Sequence, residues 1–202
     1  LEVREADGTL YFLAQSDRTQ FAVELALEGL HYVHDALAAI AVGMELGVPI
    51  DDISRSLSRF QNMAGRQEIF EKNGFTIIRD CYNAGPESMA AALAVLSNRS
   101  CRKVAVLGDM GELGELTNQA HYNVGALAAM LGIDCVVAVG AKASRIADGT
   151  EMNGGEVLYF KTVDEALGTV LDQLKPGTAM LVKASHAMHF NTLVEQLRGL
   201  YD

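Results

Sequence analysis

Lys103-Val104-Ala105-Val106-Leu107-Gly108-Asp109 and Cys135-Val136-Val137-Ala138-Val139-Gly140 decide the fold. Each is a short apolar run with no polar alternation, closed by a glycine. A strand exposed on one face alternates apolar and polar residues, whereas a strand covered on both faces reads as continuously apolar. Both runs therefore predict central strands of a parallel sheet with helices on either side.

The flanking pattern agrees. The spacing predicts strands over 68–71 and 75–79, joined by Asn73-Gly74, a strong hairpin signal. A helix is expected from Pro86, a residue suited to a first helical turn, to about 96. Further helices are expected over 117–131, 143–147, 163–174 and 190–200, with strands over 157–160 and 178–182. This is a Rossmann-like, mostly parallel α/β sheet of six strands, the hairpin supplying one antiparallel edge strand.

Upstream of Arg66 the pattern changes. Strands are expected over 9–14 and 20–27 around a polar turn. An alanine-rich helix over 35–46 follows, ended by Gly47 and Pro49, and then a short helix over 52–60 with Asp52 as its N-cap. Two strands are too little sheet to stand alone. Residues 1–66 are therefore expected to be the tail of a larger α/β domain, and 67–202 a domain in their own right.

Composition narrows the function. Half of the 202 residues are hydrophobic, enough for a substantial core, so a disordered tail is excluded. Sixteen basic residues against 26 acidic ones, without a basic cluster, argue against nucleic-acid binding. The longest apolar stretch, 36–44, is far short of the roughly 20 residues that cross a bilayer. The first residue is Leu1, and the opening segment resembles neither a signal nor a transit peptide, so the chain is expected to begin in the middle of a longer one. Three scattered cysteines, with no CxxC pair, suggest a reducing cytoplasmic setting with neither disulfides nor a zinc site.

In parallel sheets ligands bind at the carboxyl ends of the strands. Four such ends carry polar or glycine-rich turns: 80–83, 108–112, 140–142 and 183–186. Gly108, Gly111 and Gly114 are spaced GxxGxxG, not GxGxxG, among Asp109, Glu112 and Glu115, which would repel a pyrophosphate. They are read as a tight turn needing glycine dihedrals. No GxxxxGK[ST] string is present. His31 and His34 lack a clear third ligand and are read as a polar helix entrance. His121 is read as a histidine bonded to a neighbouring backbone group. Asp80 ends a buried strand, and Ser88 or Asn83 is available to serve the following helix start, which leaves Asp80 without an evident structural task.

Several strings, in order, resemble the Mur ligase family, and in particular its dipeptide-adding branch. They are Gly29-Leu30-His31 with 36–39, Gly65-Arg66, Asp80-Cys81-Tyr82-Asn83-Ala84-Gly85-Pro86 with Ser88-Met89, Leu107-Gly108-Asp109-Met110 with Glu112-Leu113-Gly114, His121 with Val124-Gly125, and Lys183-Ala184-Ser185. The resemblance implies an ATP-dependent amide ligase of peptidoglycan synthesis. Its substrates would be UDP-N-acetylmuramoyl-tripeptide and D-alanyl-D-alanine, with Mg2+ held by residues outside this chain. Residues 1–66 would then end a central ATPase domain, and 67–202 would form the C-terminal domain. The phosphate loop would lie upstream, so this chain alone would carry no catalytic residue and no activity.

The resemblance also implies roles. Asp80 would receive the ATP ribose hydroxyls, Arg66 would stand near ribose or phosphate, and His31 and Asp35 would lie near adenine. Tyr82, Asn83, Lys183, Ser185 and His186 would meet the substrates. Three strings depart from the family pattern. Tyr32 and Asp35 stand where His-Asn-x-x-Asn is usual, Gly85 replaces an Asn, and Ala184 and His186 alter a Lys-Gly-Ser-Arg string. A carboxylate at Asp35 accepts from an adenine amino group but cannot donate to a ring nitrogen. A non-catalytic Rossmann-like binding module, and a family ligase adding another amino acid, are the alternative readings.

Overall fold

A computed structural model of the chain describes residues 2–17 and 19–199. It divides into two compact units, Leu1–Asn62 and Met63–Asp202.

The first unit is a three-stranded antiparallel sheet with two helices. Its strands are β1 (Val3–Ala6), β2 (Thr9–Gln15) and β3 (Gln20–Leu25), in that order. The sequence reading had two strands here. The strand it passes over, β1, pairs with β2 through Asp7-Gly8, both at positive φ (51° and 73°), a two-residue hairpin turn. Leu10, Phe12 and Ala14 of β2 alternate onto one face with Val23 and Leu25 of β3. Against them pack Val33, Ala36 and Ile40 of α1 (His31–Glu45) and Ile53 of α2 (Ile50–Ser58). The spacing 33, 36, 40 is one helical stripe. Helix α1 begins four residues before its expected start, so His31, His34 and Asp35 lie in its first turns. Asp52 is not the N-cap of α2. Pro49 holds that position, and Asp52 instead pairs with Arg55 at 2.8 Å.

The second unit is a six-stranded sheet in the order β4-β5-β9-β6-β7-β8. Its strands are β4 (Glu68–Lys72), β5 (Phe75–Asp80), β6 (Arg102–Gly108), β7 (Cys135–Val139), β8 (Val157–Phe160) and β9 (Thr178–Lys183). Only the β4–β5 pair is antiparallel. Its turn is the expected Asn73-Gly74, with φ of 50° and 80°. Between the strands run α3 (Pro86–Ser97), α4 (Thr117–Met130), α5 (Ser144–Met152) and α6 (Val163–Gln173), and α7 (Phe190–Gly199) follows β9.

Period-two geometry sorts the apolar runs into two cores. Ile78, Ala105, Leu107, Val136, Ala138 and Leu181 join Met89, Leu93, Val124 and Ile146 of α3, α4 and α5. Ile77, Val104, Val106, Val137, Met180 and Val182 join Ala166, Val170, Leu193 and Leu197 of α6 and α7. The continuous apolar run is thus the trace of two covered faces.

Helix α5 runs five residues past its expected end, through Gly149. That glycine is not a breaker. A Cβ there would meet the Tyr122 carbonyl, and one on Gly125 would lie 2.8 Å from Thr150 N and nearer still to the Ile146 carbonyl. Helices α4 and α5 therefore cross backbone to backbone at a pair of glycines.

Candidate functional site

The chain enters β9 last and places it between β5 and β6, so residues remote in sequence meet at one carboxyl edge. In that register Asp80 stands opposite Lys183. The Lys183 Nζ donates to Asp80 Oδ2 at 2.6 Å and to the Asn83 carbonyl at 2.9 Å. The Lys183 side chain is 2% exposed and that of Asp80 16%. An unpaired ammonium at that depth would be costly, and the carboxylate plus a carbonyl compensate it. Asp80 thus has the structural partner that the sequence reading did not supply. Its other oxygen, Oδ1, takes a long 3.4 Å contact from the Gln67 N–H. Gln67 is buried and held at a φ of 43°.

Beside this pair lies an exposed cationic and aromatic group. The Arg66 guanidinium sits 4.1 Å over the ring of Tyr82, within cation–π range. The Tyr82 N–H donates to the Gly65 carbonyl at 3.2 Å, which fixes the two segments together. Tyr82 is half exposed, and its ring centre is 6.2 Å from that of His186. His186 in turn is 6.5 Å from His189, a residue the sequence reading passed over. Ser185 is half-buried, and its N–H donates to the Asp109 carbonyl at 3.1 Å. Asn83 is exposed, and its Oδ1 accepts from the Ala84 N–H at 2.9 Å. The helix start at Pro86 is served by Ser88, whose Oγ accepts from the Gly85 N–H and donates to its carbonyl, both at 3.0 Å.

Arg66, Asp80, Tyr82, Asn83, Lys183, Ser185 and His186 therefore all belong to the second unit, at or beside the ends of β5 and β9. His31 and Asp35 belong to the first, half-buried and exposed respectively.

The neighbouring 108–114 turn is shaped by other forces than the sequence suggested. Only Gly114 of its three glycines has a positive φ, 52°, and Glu112 adopts one of 60°. Gly108 is needed for packing, since a Cβ would lie 2.6 Å from that of Ala184 and 2.7 Å from the Phe190 ring. Asp109 Oδ1 accepts from the N–H groups of Lys142 and Ala143, at 3.0 and 2.7 Å, and so holds the entry to α5. Gly140, at a φ of 126°, leaves room for that carboxylate. His121 is fully buried, accepting from the Met110 N–H and donating to the Thr117 carbonyl. Cys81 lies under Asp80 and donates to the Val182 carbonyl at 3.2 Å. Burial pushes its thiol up to about 12.

Among the described residues no group of three or more His, Cys, Asp or Glu is placed to hold a metal ion, and no helix is long and apolar enough to cross a membrane.

Fold and site together define an α/β domain of the Rossmann-like class, with a group of polar residues gathered at the carboxyl edge of the sheet. Residues 65–186 match the family described as Mur ligase, glutamate ligase domain, and the chain belongs to the Mur ligase family. It is 37% identical over 179 residues to the UDP-N-acetylmuramoyl-tripeptide–D-alanyl-D-alanine ligase of Treponema pallidum, covering 87% of this chain and 39% of that protein. It is 32% identical over 196 residues to the enzyme of the same name from Bacillus subtilis, covering 95% of this chain and 42% of that protein. Among solved structures, MurF from Acinetobacter baumannii superposes with a TM-score of 0.90 at 33% identity, over 98% of this chain and 44% of that one. The chain thus spans about two fifths of the length of the curated relatives it matches.

Proposed function

We propose that this chain is the C-terminal part of an ATP-dependent ligase that joins D-alanyl-D-alanine to UDP-N-acetylmuramoyl-tripeptide in peptidoglycan synthesis. The observation that carries the reading is the edge cluster of Asp80, Lys183, Arg66 and Tyr82, in a chain 37% identical to a ligase of that name. In such a reaction ATP phosphorylates the tripeptide carboxylate, and the dipeptide amine displaces phosphate from the acyl phosphate. Catalysis then consists largely of positioning and charge stabilisation.

Asp80 suits the ribose of ATP, because Oδ1 keeps acceptor capacity for hydroxyl protons while Oδ2 is held by Lys183. Arg66 suits ribose or phosphate, its guanidinium exposed and braced on Tyr82. His31 and Asp35 are assigned to the adenine side. Tyr82, Asn83, Ser185 and His186 are assigned to the dipeptide side, with Lys183 at the edge they share. The boundary between an ATPase-domain remnant and the C-terminal domain is placed at residue 66. Mg2+ ligands and the phosphate loop are assigned to the preceding part of the ligase, and closure of this domain over ATP would complete the site. The cytoplasm is the proposed compartment, which suits three free thiols.

The test is phosphate release by the full-length protein with ATP, the muramoyl tripeptide and D-alanyl-D-alanine. Release is expected only when all three are present. Equal release with a single amino acid in place of the dipeptide, or none with the dipeptide, would overturn the reading. The 202-residue chain by itself is expected to release none.

A further inference from the structure

We propose that Lys183 is a positioning residue that acts through Asp80, and not a contact to either substrate; this deepens the ligase reading and rests on it. The argument begins with access. The Lys183 side chain is 2% exposed, and its ammonium is already engaged by Asp80 Oδ2 at 2.6 Å and the Asn83 carbonyl at 2.9 Å. The ammonium is enclosed, so a dipeptide carboxylate could reach it only by opening the turn that Asp80 and Asn83 form around it.

The second step is geometry. Asp80 is the last residue of β5, and Lys183 is the last residue of β9, directly opposite it. A carboxylate at a strand end has free χ rotation unless something holds it. Here the ammonium fixes Oδ2 and turns Oδ1 towards the Gln67 N–H. The same ammonium holds the Asn83 carbonyl, so the turn carrying Tyr82 and Asn83 is tied to the strand that continues into Ser185 and His186. One buried charge therefore sets both the orientation of the ribose-side acceptor and the spacing of the two turns on the dipeptide side. Prepositioning of this kind lowers the cost of binding without adding a contact.

The experiment is a double-mutant cycle in the full-length ligase, with Lys183→Met, Asp80→Asn and the two combined. ATP and dipeptide KM, kcat and the urea midpoint are measured for each. Lys183→Met is expected to raise the ATP KM about 10-fold, the scale on which a lost charged hydrogen bond acts. Asp80→Asn should raise it similarly, and the double variant should equal Asp80→Asn alone in its ATP KM. If Lys183→Met fails to fold, Lys183→Gln, which keeps a donor but not the charge, takes its place, and an ATP KM equal to the wild type's overturns the inference. A further rise of the ATP KM in the double variant overturns the inference, since Lys183 would then act on ATP independently of Asp80. So does a lowered urea midpoint with both KM values unchanged, the result for a purely structural pair. A rise in the dipeptide KM alone would make Lys183 a direct substrate contact and also overturn it. An inactive wild type removes the ligase reading itself, whereas an active wild type with additive variants removes only the role of Lys183.

Discussion

The Met110 N–H donates to His121 Nε2 at 2.9 Å, while His121 Nδ1 lies 2.7 Å from the Thr117 carbonyl. A carbonyl only accepts, so Nδ1 carries the proton and Nε2 is the acceptor, a neutral ring. The imidazole pins the turn after β6 to the first turns of α4. Burial lowers its pKa from the usual value of 6.5, the Thr117 bond opposing only in part. The group is thus harder to protonate folded than unfolded. Its contribution is complete above about pH 6.5 and is lost as pH falls through the folded value, because the unfolded chain binds the extra proton. Urea midpoints between pH 8 and 5 should therefore fall more steeply for the wild type than for His121→Leu. At pH 8 that variant should be less stable by roughly 1–3 kcal/mol, having left the buried Met110 N–H unpaired.

The glycine crossing of α4 and α5 gives a prediction of stability alone. Gly125→Ala would drive a methyl into the Ile146 carbonyl, and Gly149→Ala into that of Tyr122. Backbone cannot yield as a side-chain tip does, so each should cost about 3 kcal/mol, at the upper end of overpacking penalties. The double variant should cost clearly less than the sum, because either methyl already separates the helices. Thermal melts of the three variants decide this, and a strictly additive pair would mean that the two glycines relax independently.

Asp109 gives a milder one. Its carboxylate receives two N–H groups at the entry to α5, the arrangement of a helix cap supplied from a distant loop. Asp109→Ala should lower stability by roughly 0.5–2 kcal/mol, the usual range for a lost cap, and Asp109→Asn by much less. Urea unfolding of both variants measures the difference.

What was legible in the sequence follows from how local its cause is. Val104–Leu107 and Cys135–Val139 state their own burial, and Asn73-Gly74 states its own turn, so the six-stranded sheet was readable. Asp7-Gly8 carries the same turn chemistry, yet β1 was missed because Val3–Ala6 has only intermediate and exposed residues and so no apolar signal. Gly149 looks like a helix end until Tyr122, 27 positions away, is seen to require it. The partner of Asp80 was invisible for the same reason: Lys183 is 103 residues away and meets it only through the late insertion of β9. The strings at 80–83 and 183–186 were each recognised as strand-end turns. That one buried ion pair joins them is a property of strand order, which no local pattern encodes.

The cysteines supply the last prediction. Burial pushes the Cys81 thiol up to about 12 and that of Cys135 up to about 11, with no exposed approach to either sulfur. Cys101 is only partly buried, at the edge of the core beside the start of β6. Thiolate is the reactive species, so reactivity follows both access and ionisation. At pH 8 a thiol reagent such as a nitrobenzoate disulfide should label Cys101 promptly and leave the other two untouched for as long as the fold persists. Cys101→Ser should abolish the fast labelling and keep the urea midpoint within about 0.5 kcal/mol, as befits a partly exposed position. In urea all three thiols of the wild type should react. Peptide mapping identifies the labelled residue. Prompt native labelling of Cys81 would mean that the strand end carrying Asp80 opens locally, and that the Lys183 pair does not hold it shut.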